Sequence, residues 1–155
     1  MSEITEGMKA PAIDLPTDGG GRFTLADGPG RATVVFFYPK ADTPGCTNEA
    51  KDFSALIEDF AAAGARVIGV SRDPVRALDR FKTKHDLKVI LGSDEAGSVT
   101  EAFGVWVEKS MYGRTYMGIE RSTFLIDAGG TVRHVWRSVK VKGHAQEVLE
   151  AARAF

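Results

Sequence analysis

The sequence lacks a second cysteine: Cys46 is the single cysteine among 155 residues. An intramolecular disulfide is therefore excluded, which suits a reducing compartment, and any thiol chemistry must use this one sulfur. An excess of charge of one sign is also lacking, because 20 basic and 21 acidic residues leave a formal net charge of −1. This balance excludes the usual electrostatic basis for binding nucleic acid or a membrane surface, so we expect a small molecule or a protein as substrate.

Long apolar runs are absent as well, and none approaches the length that spans a bilayer. Residues 1–9 lack the basic and apolar regions of a signal peptide, so we expect a cytoplasmic protein. The histidines His85, His134 and His144 are scattered over predicted surface elements without ligand spacing, so we expect neither a metal site nor a cofactor. The length fits one domain covering residues 1–155.

The most informative stretch is residues 32–46, A-T-V-V-F-F-Y-P-K-A-D-T-P-G-C. Residues 32–38 are uncharged and rich in β-branched and aromatic side chains, which predicts a strand buried on both faces and ended by Pro39. Residues 43–46, T-P-G-C, have the chemistry of a helix start: a hydroxyl that can cap, a proline for the first helical position and a small residue. Cys46 is therefore predicted in the first helical turn.

The predicted position of Cys46 favours its ionised form. The first turn of a helix offers unpaired N–H groups and the positive end of the helix dipole, and both stabilise a thiolate. A thiolate there would be a nucleophile. The alternative is a buried structural cysteine, which is the usual state of a free cysteine, but the position at a helix start argues against it.

Turn residues and hydrophobic spacing predict an alternation of helices and strands along the rest of the chain. Strand–helix–strand order implies parallel pairing with right-handed crossovers, hence an α/β fold whose functional site lies at the carboxyl ends of strands, where Cys46 falls. The last helix is expected to turn Val148, Leu149, Ala152 and Phe155 inward. The predicted elements are a hairpin or loop pair at 13–25, a structure-breaking loop at 26–30, helices at 46–63, 73–85, 94–103 and 144–155, and strands at 66–71, 89–91, 121–126 and 131–136.

Pro39, Thr43 and Cys46 stand in the P-x-x-x-T-x-x-C pattern of the peroxiredoxins. The longer stretches at residues 37–50 and 104–127 resemble the Q-type peroxiredoxins, also called bacterioferritin comigratory proteins, and the resemblance extends over nearly the whole chain. It implies a thioredoxin-like α/β fold with a central mixed sheet flanked by helices. It also implies a thiol-dependent peroxidase that reduces hydrogen peroxide and organic hydroperoxides in antioxidant defence.

The resemblance also implies roles for individual residues. Cys46 would be the peroxidatic nucleophile, and the Thr43 hydroxyl would hydrogen-bond the peroxide. A guanidinium would stabilise the charge that develops on the leaving oxygen. Spacing alone does not choose among Arg72, Arg114 and Arg121, and the resemblance selects Arg121.

Three further positions have both a functional and a structural interpretation. Pro39 either shields the sulfur from water and further oxidation or simply ends a strand. Glu49 either helps to hold the arginine or is a glutamate favoured by the helix dipole. Tyr38 and Trp106 either line the pocket or belong to the core.

The chain departs from the family pattern at Lys51, where many Q-type members have a resolving cysteine. We therefore predict a one-cysteine mechanism in which the first helical turn stays folded and the sulfenic acid of Cys46 is reduced by an external thiol: thioredoxin, glutaredoxin or a low-molecular-weight thiol. Lys51 either recruits an anionic reductant or is a solvated helix residue. By analogy with Q-type members, we expect a monomer. A redox sensor without efficient turnover and a thioredoxin-like binding module remain the alternative functions.

Overall fold

A computed structural model describes residues 4–27 and 31–155 of the chain. Residues 1–3 and residues 28–30 lie outside the described residues; the latter belong to the loop predicted at 26–30. The strands are β1 (Asp14–Pro16), β2 (Arg22–Thr24), β3 (Ala32–Phe37), β4 (Ala65–Ser71), β5 (Ile90–Ser93), β6 (Trp106–Met111), β7 (Arg114–Ile119), β8 (Ser122–Ile126) and β9 (Val132–Trp136), and the α-helices are α1 (Pro44–Ala55), α2 (Ile57–Ala62), α3 (Val75–His85), α4 (Ser98–Ala102) and α5 (His144–Arg153).

The central sheet has five strands in the order β5-β4-β3-β8-β9. Strands β3, β4 and β5 are parallel, whereas β8 runs antiparallel to β3 and β9 antiparallel to β8. The predicted α/β architecture with a central mixed sheet is therefore confirmed. Strand β3 lies in the middle of the sheet and is buried at every position, as its uncharged sequence predicts.

The two faces of β3 enter two separate hydrophobic clusters. Val34 and Phe36 pack with the helices α1, α2, α3 and α5, in the cluster that also contains Cys46. Val35 and Phe37 face the other cluster, which is formed with the β1–β2 hairpin and α4. The Phe36 ring stacks on Phe53 of α1 with centroids 4.5 Å apart, which fixes α1 against the sheet.

Four local predictions are wrong in detail. Helix α4 covers Ser98–Ala102 and not the predicted 94–103, because Gly97 before it has a left-handed backbone conformation. The predicted helix after Cys46 is interrupted at Leu56, whose N–H bonds to the carbonyl of Phe53, so the turn tightens and α1 ends before α2 begins. Helix α3 starts at Val75, because the Asp73 side chain accepts hydrogen bonds from elsewhere instead of capping it. Phe155 is 53% exposed, since it lies beyond the end of α5.

The hairpin of β6 and β7 was not predicted. Its strands are mostly exposed or half-buried, so they lack the alternation of buried and polar positions that marks a strand in a sequence. Its turn consists of Tyr112 and Gly113, both with positive φ. Within the described ranges, no helix is both long enough and apolar enough to cross a membrane.

His144, at the start of α5, is buried and does not lie on the surface as predicted. Its Nε2 lies 2.7 Å from the Thr123 hydroxyl, and its ring meets Phe53 and Trp136 edge to face. Burial lowers the pKa of His144 to about 4, with the Arg121 charge acting in the same direction and Glu147 against it. Helix α5 therefore begins with a neutral imidazole that packs against β8, β9 and α1.

We expect His144 to make the protein less stable in mild acid. Between its ordinary pKa of 6.5 and its folded value of about 4, the unfolded state binds more protons than the folded state, so the free energy of unfolding falls as the pH falls through this window. The contribution is on the order of 2 to 3 kcal/mol. Urea unfolding of the wild type and of His144→Gln between pH 4 and pH 7 measures this contribution. The substitution should reduce the slope of the unfolding free energy against pH by the part that His144 contributes. His134→Gln, at an exposed position, is the control, and equal slopes in all three proteins would contradict the assignment.

Candidate active site

The carboxyl end of β3 and the beginning of β8 lie side by side. Because the two strands are antiparallel, Phe37 at the end of β3 is paired with Ser122 at the start of β8. Arg121 directly precedes Ser122 and so reaches the same edge of the sheet as the beginning of α1, which contains Cys46. The predicted position of the site at the strand ends is consistent with this topology.

The turn between β3 and α1 is fixed by contacts with α3 and the segment before it. Asp42, which has a positive φ, forms an ion pair with Lys84 at 2.8 Å, and its other carboxylate oxygen is hydrogen-bonded to His85 Nε2 at 2.7 Å. These hydrogen bonds hold the pKa of Asp42 below its ordinary value. The N–H of Ala41 donates to Asp73 at 2.8 Å. The turn thus holds the start of α1 in a defined direction.

Thr43 occupies the position before the first helical residue, but the prediction that its hydroxyl caps the helix is wrong. The hydroxyl donates to the Lys40 carbonyl at 2.8 Å instead. Cys46 is the third helical residue, as predicted. The first helical hydrogen bond runs from the Thr47 N–H to the Thr43 carbonyl, and the N–H groups of Gly45 and Cys46 have no acceptor among the described residues. They remain available to an anion.

Arg121 connects Cys46 with Glu49. One guanidinium nitrogen, Nη2, lies 3.5 Å from the Cys46 sulfur, and the other, Nη1, donates to Glu49 Oε1 at 2.8 Å. Cys46 and Glu49 are each only 1% exposed. A Cβ atom on Gly45 would lie 3.1 Å from Nη2, so the small residue gives the guanidinium room to approach. The structure therefore brings together the predicted residues Cys46, Arg121 and Glu49.

The Glu49 carboxylate is in an unfavourable environment for a charge. Burial raises its pKa to about 7, although the charge and hydrogen bond of Arg121 act against the increase. Its second oxygen, Oε2, is buried and has no hydrogen-bond partner among the described residues. The charge of the Glu49 carboxylate, which is paired with Arg121, therefore changes near neutral pH.

The two other candidate arginines are accounted for elsewhere. Arg72 donates to the Thr100 hydroxyl at 2.9 Å and to the Gly97 carbonyl at 3.2 Å, and its guanidinium lies 3.4 Å above the centre of the Trp106 ring. Arg114 is exposed on the β6–β7 hairpin. Of the three, Arg121 alone is bonded to the sulfur, which agrees with the choice made from the motif.

The remaining predicted positions are more peripheral. Tyr38 is fully buried, and this burial raises its pKa. Pro39 is exposed immediately after β3, and Lys51 is exposed on α1. Trp106 is half-buried with one face covered by Arg72. Within the described residues, no group of three or more histidine, cysteine, aspartate or glutamate side chains could hold a metal ion.

Sequence reasoning missed Lys109 on β6. Its ammonium lies within electrostatic reach of both Arg121 and Cys46, and burial lowers its pKa. The residue belongs to the stretch that carries the family resemblance, but nothing in the local pattern indicates which way a side chain of an unrecognised hairpin points. A prediction of the hairpin from its turn, Tyr112 and Gly113, would have been the available signal.

The pKa of Glu49 predicts a pH dependence of opposite sign to that of His144. Between its ordinary value of 4.5 and its folded value of about 7, the folded state binds more protons than the unfolded state, so the free energy of unfolding falls as the pH rises. Relative to Glu49→Gln, the wild type should lose on the order of 2 to 3 kcal/mol between pH 4 and pH 8. Urea unfolding across this range measures the difference. Glu58→Gln, at an exposed position of α2, should follow the wild type, and a Glu49→Gln profile parallel to the wild type would refute the prediction.

Comparison with known proteins gives consistent matches. The sequence pattern of the AhpC/TSA family matches residues 7–135. Peroxiredoxin Bcp of Bacillus subtilis is 48% identical over 147 residues, which cover 95% of this chain and 94% of that protein. Peroxiredoxin Bcp of Xanthomonas campestris is 46% identical over 156 residues, which cover 99% of this chain and 98% of that protein.

Solved structures agree with the sequence matches. The bacterioferritin comigratory protein of Xanthomonas campestris, in a study of its alkyl peroxide reduction activity, superposes with a TM-score of 0.87 at 46% identity, covering 92% of this chain and 90% of that one. A cysteine-to-serine mutant of PrxQ from Xylella fastidiosa superposes with a TM-score of 0.94 at 39% identity, covering 99% of this chain and 98% of that one.

Proposed function

The chain belongs to the AhpC/TSA family and is a peroxiredoxin, and we propose that it reduces hydrogen peroxide and organic hydroperoxides by a one-cysteine mechanism with Cys46 as nucleophile. The Q-type resemblance and the thioredoxin-like fold predicted from the sequence are confirmed by the same comparisons. The observation that carries the mechanism is the 3.5 Å contact between Arg121 Nη2 and the Cys46 sulfur at the start of a helix.

In the first half of the reaction, the Cys46 thiolate attacks the nearer oxygen of the hydroperoxide. The S–O bond forms, the O–O bond breaks, and the leaving hydroxide or alkoxide takes up a proton to become water or alcohol. The sulfur is oxidised to sulfenic acid. Arg121 and the free N–H groups of Gly45 and Cys46 stabilise the negative charge that moves from sulfur to the leaving oxygen.

Thr43 orients the peroxide in this mechanism. Its hydroxyl proton is already donated to the Lys40 carbonyl, so its oxygen keeps lone pairs that accept a hydrogen bond from the hydroperoxide O–H. Glu49 is a positioning residue that holds the second arm of Arg121. Pro39 covers the approach to the sulfur and limits water and further oxidation.

In the second half, an external thiol restores Cys46. The chain has no other cysteine, so the sulfenic acid condenses with a thiol of another molecule to give a mixed disulfide and water. A second thiol then attacks the mixed disulfide, releases the Cys46 thiolate and forms a disulfide with the first thiol donor. Thioredoxin, glutaredoxin and low-molecular-weight thiols are the donor classes that fit this chemistry, and α1 stays folded throughout.

We also infer the setting in which this chemistry takes place. The balanced charge of −1 supports a protein without nucleic-acid or membrane partners, and the single unpaired cysteine suits a reducing cytoplasm. Both hydrophobic clusters share the one central sheet, which supports a single domain over residues 1–155. We propose a monomer that contributes to antioxidant defence and redox homeostasis.

The first test is the second-order rate at which reduced protein reacts with hydrogen peroxide, followed by tryptophan fluorescence. A dedicated site should react orders of magnitude faster than a free thiol, and Cys46→Ser should abolish the reaction because no other thiol is present. Repeated turnover with an added thiol reductant separates a peroxidase from a redox sensor. A rate equal to that of a free thiol would refute the proposed peroxidase.

Arg121→Ala tests the role of the guanidinium. We expect oxidation of Cys46 to slow at least tenfold, about 1.4 kcal/mol of lost transition-state stabilisation, because the leaving oxygen loses a charged donor. Stopped-flow fluorescence measures the rate. Arg114→Ala, at an exposed position, is the matched control and should retain the wild-type rate. Full activity of the Arg121 variant would remove this residue from the catalytic site.

A further inference from the structure

The hairpin of β6 and β7 forms a two-stranded ribbon beside the Cys46 site. In its antiparallel register, Lys109 is paired with Tyr116, and Val107 with Gly118, so these side chains share one face of the ribbon. The base of the ribbon is held by a 2.7 Å hydrogen bond from the Glu120 N–H to the Val105 carbonyl. Since Arg121 follows Glu120 directly, the direction of the ribbon is fixed next to the catalytic arginine.

The stem of Lys109 lies along this ribbon. A Cβ atom on Gly118 would lie 3.3 Å from Lys109 Cδ, so the missing side chain at Gly118 leaves the space that the stem occupies. The Lys109 residue is half-buried, and its charge is within electrostatic reach of Arg121 and Cys46. Burial lowers the pKa of Lys109, and the Arg121 charge acts in the same direction, whereas the charges of Cys46 and Glu120 act against the decrease. The net decrease indicates that the environment disfavours the charged form of Lys109.

No carboxylate forms a direct ion pair with Lys109 that would compensate this cost. Among residues 4–27 and 31–155, the Lys109 ammonium forms neither a hydrogen bond nor an ion pair. The nearby carboxylate of Glu120 already accepts hydrogen bonds from Arg137 at 3.2 Å and Ser138 at 3.0 Å. Arg121 in turn is engaged by Glu49. A partly desolvated cation that has no direct ion-pair partner and lies within electrostatic reach of Cys46 is suited to attract an anion from solution.

We propose that Lys109 is a specificity-determining residue that selects an anionic thiol for the reduction of oxidised Cys46. It attracts the anionic group, such as a carboxylate, that the incoming reductant carries in addition to its thiolate. The inference rests on the proposed function, because it concerns the second half of the same reaction.

The chemistry of this step explains why a cation is useful there. The incoming thiolate attacks the sulfur of the Cys46 sulfenic acid, an S–S bond forms, and the S–O bond breaks. The leaving hydroxide takes up a proton to become water, so the Cys46 sulfur is reduced and the incoming sulfur oxidised. A second thiolate then displaces Cys46 from the mixed disulfide. Both attacking species are anions, whereas hydrogen peroxide is neutral.

The test compares thiols that differ in charge. Full-length protein is converted to the sulfenic acid with one equivalent of hydrogen peroxide and mixed with 3-mercaptopropionate, 2-mercaptoethanol or cysteamine, which are anionic, neutral and cationic outside the thiol group. The rate per thiolate is measured for the wild type, Lys109→Met and Lys142→Met. Lys142, an exposed lysine in the segment before α5, is the matched control.

We expect the wild type to prefer 3-mercaptopropionate over cysteamine. Lys109→Met should reduce this preference about fivefold, whereas Lys142→Met should retain it. Added salt should weaken the preference of the wild type in the same direction. The ratio of the rates with two thiols, measured within one variant, does not respond to a general loss of structure or of Cys46 reactivity.

Two results would overturn the inference. A Lys109→Met variant with the wild-type preference would show that Lys109 does not recognise the reductant. Equal slowing with all three thiols would show that Lys109 acts on Cys46 itself. Failure of the proposed function is distinguishable, because the wild type would then not consume hydrogen peroxide rapidly in the oxidation step that precedes any thiol.

Discussion

The guanidinium of Arg121 is the interaction on which the site depends, because it binds two groups of the same helix at once. Cys46 and Glu49 are three residues apart in α1 and therefore lie on one face, toward the sheet. One arm of the arginine reaches the sulfur and the other reaches the carboxylate. A lysine has no such planar fork and could not hold both groups in this geometry. Helix packing and sulfur chemistry therefore share a single contact.

The direction of one strand makes this contact possible. In a purely parallel sheet, every strand would bring its carboxyl end to the edge where α1 begins. Strand β8 is antiparallel to β3, so its first residues arrive at this edge instead. Arg121, next to the start of β8, consequently meets a helix that lies 75 residues earlier in the chain. The mixed sheet is thus a requirement of the site as well as a feature of the fold.

The features that could be predicted from the sequence are those encoded by neighbouring residues. The uncharged run of β3 and the proline before Cys46 contain their own signals for a buried strand and a helix start. Other features depend on distant partners. The helix break at Leu56 allows Phe53 and Phe60 to face the same core, the burial of His144 requires Thr123 beside it, and the direction of Lys109 follows from a hairpin whose strands are half exposed.

The single sulfur has an analytical consequence. In a chain with two cysteines, an internal disulfide can expel the first thiol donor, so its identity is lost. Because Cys46 is alone, any disulfide of this chain joins it to another molecule. The increase in the mass of the chain then equals the mass of the bound donor, less the hydrogens lost on oxidation. The protein therefore labels itself with its own reductant until a second thiol arrives.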